Sequence, residues 1–168
     1  TPFTTLDQLA EARRVAAATG RKYMVYFSER LHVECAMHAG DLVHGGAIGK
    51  VVQVIGLGPH RIGPKPHRPA WFWERARYGG ILCDIGSHQI EQYLFYSGAT
   101  DATITQAAIA NHANPDVPEF EDFGEASLQG NNGTTNFFRV DWYNPAGLGT
   151  WGGGRTVILG TKGYIELR

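Results

Sequence analysis

Apolar positions recur at helical spacing from the start of the chain. In "TTLDQLAEARRVAAATG", Leu6, Leu9, Val15 and Ala16 form one side, Thr5 and Gln8 have capping-box spacing, and Gly20 is a stop signal. The pattern predicts an amphipathic helix over 5–19. The apolar run "KYMVYFS" (22–28) has strand character. Helix, link and strand together read as half of a parallel crossover unit. "HVECAMHAGDLVHGG" predicts a helix ending at Gly45. "IGKVVQVIGLG" predicts a strand with Val52, Val54 and Gly56 on one face and Val51, Gln53 and Ile55 on the other. "PHRIGPKPHRPAWFWERARYGG" predicts a long loop, kept ordered by the aromatic run Trp71-Phe72-Trp73. A helix from about Asp84 to Ser97 follows, with Ile90, Tyr93, Leu94 and Ser97 expected on the core side.

After this helix the period changes to two. "ATITQAAIAN", "GEASLQG", "TTNFFRVDWY", "GRTVILG" and "GYIEL" predict five strands, with hairpin turns at Asn132-Gly133 and Gly160–Gly163. Short links mean antiparallel pairing. The expected fold class is α+β, a mostly antiparallel open sheet with helices on one face, preceded by an orphan helix–strand. "TTNFFRVDWY" carries aromatic residues on both faces, with Thr135, Phe137, Arg139 and Asp141 opposite Asn136, Phe138, Val140 and Trp142. A sheet apolar on both faces points to a subunit interface, hence a homo-oligomer.

The 168 residues suit one domain, or one plus part of another, and 43% apolar content with a net charge of −1 reads as globular. No basic block points to nucleic acid, and no apolar run is long enough to span a bilayer. Cys35 and Cys83 read as buried thiols of a reducing compartment, so a cytoplasmic setting is expected. The chain opens at Thr1 and "GTKGYIELR" stops in mid-strand, so both ends are expected to be cuts in something longer.

Two glycine runs look like phosphate cradles and lack the order that one needs. In "GLGPHRIG" the third glycine comes too late and Pro59 stands where the binding helix would begin, and "WGGGR" precedes a strand. Histidines 32, 38, 44, 60, 67, 88 and 112 form neither H-x-x-x-H nor H-E-x-x-H, so no metal site is expected. Asp84 and His88 stand four apart after Gly79-Gly80, sharing a face with Glu91, Gln92 and Phe95. One reading is a solvated polar face capped by Asp84. The other is an imidazole that takes a proton while Asp84 orients it and supports its charge. A metal-dependent hydrolase using the same face is a third. His60 and Arg61 at the preceding strand end, with Trp71, Trp73, Arg75 and Arg77, are candidate substrate contacts, because aromatic faces stack on sugar rings and arginine forks hold anions. They also suit the edge of a core.

"GGILCDIGSHQIEQYLFYSG" resembles the G-G-x-L-x-D-x-G-x-H-x-x-[DE] signature of the glucose–fructose oxidoreductase/inositol dehydrogenase (Gfo/Idh/MocA) family. "GRKYMVYFSERLHVECAMHAGDLVHGGAIGKVVQV" and "RTVILGTKGYIEL" are similar to other segments of that family, in order. The resemblance implies a two-domain NAD(P)-dependent oxidoreductase acting on a polyol, sugar or sugar derivative. Residues 1–30 would be the end of its Rossmann domain. Residues 31–168 would be a substrate-binding and oligomerisation domain of the dihydrodipicolinate-reductase-like type. His88 would take the hydroxyl proton, with Asp84 beside it. NAD or NADP is implied for the full-length protein and none for this chain alone, since the glycine fingerprint belongs upstream. Pro2 matches the proline of the family's E-K-P motif, and Thr1 stands in place of its lysine. If that lysine is absent, a non-catalytic dimerisation or binding module of the same fold is the alternative.

Overall fold

Thr5 Oγ1 accepts a hydrogen bond from the Gln8 N–H at 3.2 Å and so opens α1, Leu6–Thr19, which Gly20 closes at φ 66°. The coordinates are a computed structural model that describes residues 3–168; Thr1 and Pro2, and with them the comparison with the E-K-P motif, lie outside the described residues. Helix α1 forms where its pattern placed it but buries none of its residues, and Leu6, Leu9 and Val15 stay exposed. The strand expected over 22–28 does not form. Residues 21–27 carry no regular structure, because no described strand offers them a ladder and a lone strand leaves its backbone groups unpaired. One turn of helix follows as α2, Ser28–Leu31, then α3, Glu34–His44, and strand β1, Val51–Pro59.

Segment 60–80 is ordered, yet it is more than a loop. It contains two 3-10 turns, Lys65–His67 and Ala70–Trp73, and a one-turn helix α4, Arg75–Tyr78. Phe72 anchors it, packing against Trp73, Tyr78, Phe120 and Trp142 with ring centroids 5.2 to 5.7 Å apart. Gly79 (φ 85°) ends α4, and Gly80 (φ 86°) swings the chain into α5, Ile81–Asp84. The Ile81 N–H donates to Glu121 Oε2 at 2.8 Å, so a buried carboxylate caps this helix start. A Cβ on Gly80 would lie 2.5 Å from that oxygen. Ile85 keeps helical angles (φ −79°, ψ −39°) and links α5 to α6, Gly86–Ser97. The helix expected over 84–97 is therefore split, with Asp84 ending its first turn.

Strands β2, Ala102–Ala110, β3, Phe123–Gly130, β4, Thr135–Asp141, β5, Arg155–Gly160, and β6, Gly163–Leu167, join β1 in one sheet of order β2-β3-β4-β1-β5-β6. Among the described residues only the β1–β4 pair is parallel. This is the predicted α+β class. Val54, Gly56 and Gly58 of β1 and Asn136, Phe138 and Val140 of β4 face the helices and are buried. The other face presents Ile55, Leu57, Phe137 and Val157, half-buried, with no helix among the described residues over them.

Helix α6 lies on the first face, rotated from the expected setting. It buries Gly86, Gln89, Gln92, Tyr93 and Tyr96, while Ile90 and Leu94 are only half-buried. The buried tyrosine hydroxyls are satisfied: Tyr93 donates to the Thr134 carbonyl and Tyr96 to the Ala36 carbonyl, both at 3.0 Å. Cys35 and Cys83 are free and exposed rather than buried, because they sit on the outer faces of α3 and α5. No helix among the described residues is long and apolar enough to cross a membrane.

Gly80→Ala combines a left-handed backbone with a clash, and is expected to cost about 1–3 kcal/mol of stability. Gly20→Ala, at φ 66° with nothing within 4 Å of its Cβ, should cost less. Denaturant unfolding of both variants checks this; equal losses would remove the Glu121 contact as the cause.

Candidate functional site

The C-terminal end of β1 fixes His60. Its N–H donates to the Asp141 carbonyl at 2.7 Å, and its own carbonyl accepts from the Asn144 N–H at 3.1 Å. Its ring stands edge-on to Trp142 with centroids 5.7 Å apart. His88, on the first turn of α6, meets the Phe27 ring edge-on at 5.5 Å, and its Nδ1 is buried without a hydrogen-bond partner among the described residues. The two imidazoles and Asp84 act on one another. Burial pushes His88 below the ordinary histidine range, the His60 charge pushes the same way, and Asp84 and Glu91 pull it back. Burial also lowers His60, against the Gly58 carbonyl, Asp84 and Asp141, which raise it, while Arg68 lowers it further. Both rings are thus held toward the neutral form. Asp84 is the carboxylate common to both.

The polar face of α6 is not solvated. Helix α2 covers it. Arg30 grips Glu91 in a bidentate ion pair, with Nε 2.9 and 3.0 Å from the two carboxylate oxygens, and its guanidinium lies 3.9 Å from the Phe95 centroid. Glu29 turns inward, where Oε2 accepts from Gln89 Nε2 at 2.8 Å and Gln92 Nε2 at 3.2 Å. Burial pushes the Glu29 carboxyl up to about 7 against those two amides. Its Oε1 stands 3.4 Å from His60 Nε2. Glu29, His60, Gln89, Gln92 and Trp151 line a cavity of about 300 Å³.

Of the remaining sequence candidates, Arg61 reaches the Ala146 carbonyl at 3.3 Å, and Trp73 packs into the aromatic cluster. Trp71 is exposed, Arg75 pairs with Glu121 at 2.7 Å, and Arg77 pairs with Glu74 at 3.3 Å. The structure brings His60, Asp84 and His88 together and holds Arg75 and Arg77 in pairs of their own. A larger groove, about 910 Å³, lies along α1 with Tyr23 and Arg77 and is separate from the histidines. Sequence reasoning missed Glu29 and Arg68. The Arg68 guanidinium lies 4.6 Å from the Phe72 ring centre and 5.1 Å from those of Trp142 and Trp151, and it feels the Asp84 charge. Nothing distinguishes it in sequence from the other loop arginines; only the aromatic cage around it does.

No group of three or more His, Cys, Asp or Glu able to hold a metal occurs among the described residues. A dinucleotide cradle does not fit either. Gly56 and Gly58 lie inside β1, where added Cβ atoms would run into the Gln89 carboxamide, so these glycines serve packing.

The chain matches the family model described as the GFO/IDH/MocA C-terminal domain over residues 36–166. No curated protein matches it. A candidate oxidoreductase from Erwinia carotovora atroseptica SCRI1043 is 54% identical, with a TM-score of 0.94 over 99% of this chain and 50% of that one. A candidate oxidoreductase from Thermotoga maritima is 24% identical, with a TM-score of 0.85 over 97% of this chain and 49% of that one. A levoglucosan dehydrogenase, solved with NADH and levoglucosan, is 20% identical, with a TM-score of 0.74 over 95% of this chain and 44% of that one. The chain therefore spans about half the length of the structures that it matches.

Because Asp84 raises both rings, Asp84→Asn should move the titrations of His60 and His88 to lower pH. Histidine Cε1 chemical shifts followed against pH check the direction. Unmoved midpoints would mean that Asp84 does not act on the imidazoles.

Proposed function

The chain belongs to the GFO/IDH/MocA family, and from that premise we propose that it is the substrate side of an NAD(P)-dependent oxidoreductase acting on a sugar, polyol or sugar derivative. The observation that carries this reading is His88: a half-buried imidazole, kept toward neutral, with Nδ1 unpartnered among the described residues and Asp84 acting on it. A neutral imidazole can accept a hydroxyl proton, and a nearby carboxylate stabilises the cation that results. NAD(P), held by a part of the protein outside these residues, supplies the hydride acceptor. The present residues supply the proton chemistry and the walls. His60, anchored by Asp141 and Asn144, is the loop residue we assign to the substrate. The 20%-identical levoglucosan dehydrogenase shares the fold alone, so it supports the sugar class by analogy.

The same reading accounts for α1 and residues 21–27. Leu6, Leu9, Val15, Tyr23, Met24 and Tyr26 are exposed apolar side chains, the expected state for the end of a nucleotide-binding domain whose other elements would cover them. We assign residues 1–30 to that domain and 31–168 to the substrate domain. The helix-free sheet face, centred on Ile55, Phe137 and Val157, suits contact with a second copy. The free thiols of Cys35 and Cys83 favour a cytoplasmic setting.

In the full-length protein, His88→Ala should lower turnover of a polyol or sugar with NAD(P) by about 100- to 10,000-fold, the usual share of a general base. The thermal midpoint of the variant establishes that it is folded. A folded variant with near wild-type turnover would remove His88 from the chemistry.

A further inference from the structure

We infer that Glu29 and His60 hold one proton between them and act as a positioning pair that sets the charge facing His88. The hydrogen-bond geometry leads there. His60 Nδ1 lies 3.2 Å from the Gly58 carbonyl oxygen, which can only accept, so Nδ1 carries the hydrogen. Nε2 then turns to Glu29 Oε1 at 3.4 Å. Without a proton on either atom, an imidazole lone pair would face a carboxylate oxygen in the half-buried wall of the cavity, an arrangement with no donor. Oε1 indeed has no hydrogen-bond donor in the structure, whereas Oε2 takes both glutamine amides. One proton between Oε1 and Nε2 satisfies both atoms, and it can reside on the acid or on the ring.

Every element packed on the pair constrains its charge. Helix α6 offers Glu29 two neutral amides, and Arg30, its sequence neighbour, is engaged by Glu91. Cys35, Arg155 and Arg168 line the cavity from α3, β5 and the chain end. Asp84, Asp141 and Arg68 act on His60. His60 charge in turn lowers the proton affinity of His88. Loss of the shared proton leaves a carboxylate beside a neutral ring, and the field at His88 becomes more favourable to its protonation. The pair thus acts on the chemistry through His88.

Glu29→Gln tests this cleanly, because the amide preserves the contacts. Its carbonyl still accepts from Gln89 and Gln92, and its NH₂ donates to His60 Nε2 without an exchangeable charge. In the full-length protein with ¹³C-labelled histidine, the His60 Cε1 signal, assigned with His60→Gln, should titrate near the value of about 7 that burial gives Glu29. In Glu29→Gln that signal should stay flat between about pH 6 and 8. The same inflection in both proteins would overturn the pair. A second measurement needs no variant: the Glu29 carboxyl carbon should titrate at about 7, and titration at the ordinary glutamate value of about 4.3 would equally overturn it. The consequence for His88 rests on the functional reading above and is read from activity. An inflection in kcat/KM near neutral pH should be lost in Glu29→Gln. Its persistence beside a flattened His60 titration would overturn the link to His88 while leaving the shared proton standing. A full-length protein without dehydrogenase turnover would sink the functional reading alone, because the two spectroscopic measurements still decide the pair.

Discussion

No residue of helix α6 is fully exposed, and that confinement organises the rest of the molecule. On the sheet side, glycines allow contact at backbone distance: Gly56 and Gly58 make room for Gln89, and a Cβ on Gly86 would come within 3.1 Å of the Phe138 ring. On the other side, α2 closes over the helix through two adjacent residues of opposite charge. Arg30 takes Glu91 and Phe95, and Glu29 takes Gln89 and Gln92. A helix clamped in this way presents its first turn in one orientation, and that turn carries His88. The half-buried Glu29 and the buried Glu121 carboxylates reinforce the arrangement from α2 and from the α5 start.

The electrostatics of the site follow from this packing more than from any single charge pair. Burial is the largest influence on His60, His88 and Glu29, and in each case it opposes the ionised form. Asp84 works against that trend for both rings. A base that must gain and lose a proton near neutrality needs such a balance, since full burial alone would leave it inert and exposure would leave it unfocused.

Much of this was legible in the sequence, for identifiable reasons. Strands β2 to β6 announced themselves through alternation and turn chemistry, and "TTNFFRVDWY" correctly separated a buried Phe138 from a half-buried Phe137. The signature at 79–91 singled out Asp84 and His88, and in the structure Asp84 acts on the His88 and His60 rings. Segment 22–28 was misread because its apolar residues satisfy a strand pattern that has no described ladder to join. The face of α6 was misread for a different reason. Gln89 and Gln92 look like solvent residues, and they are buried because a carboxylate sixty residues earlier accepts their amide protons. Glu29 itself, one acid in a short apolar stretch, carries no local mark of its burial. Long-range polar pairing of this kind leaves no period in a sequence.

The parallel β1–β4 pairing at the centre of the sheet has a consequence for how the chain comes together. Gln53 pairs with Thr135, eighty-two residues later, and the other neighbour of β1 is β5, later still. During synthesis β1 therefore emerges long before either partner exists, while β2 to β4 can close locally as a meander. His60 meets the same delay, because its anchors at Asp141, Asn144 and Gly152 lie in the last third of the chain. Loop closure over such distances is slow relative to hairpin formation. The histidine cluster is thus among the last features to acquire its geometry, and a chain interrupted before β4 holds the residues of the site without the site.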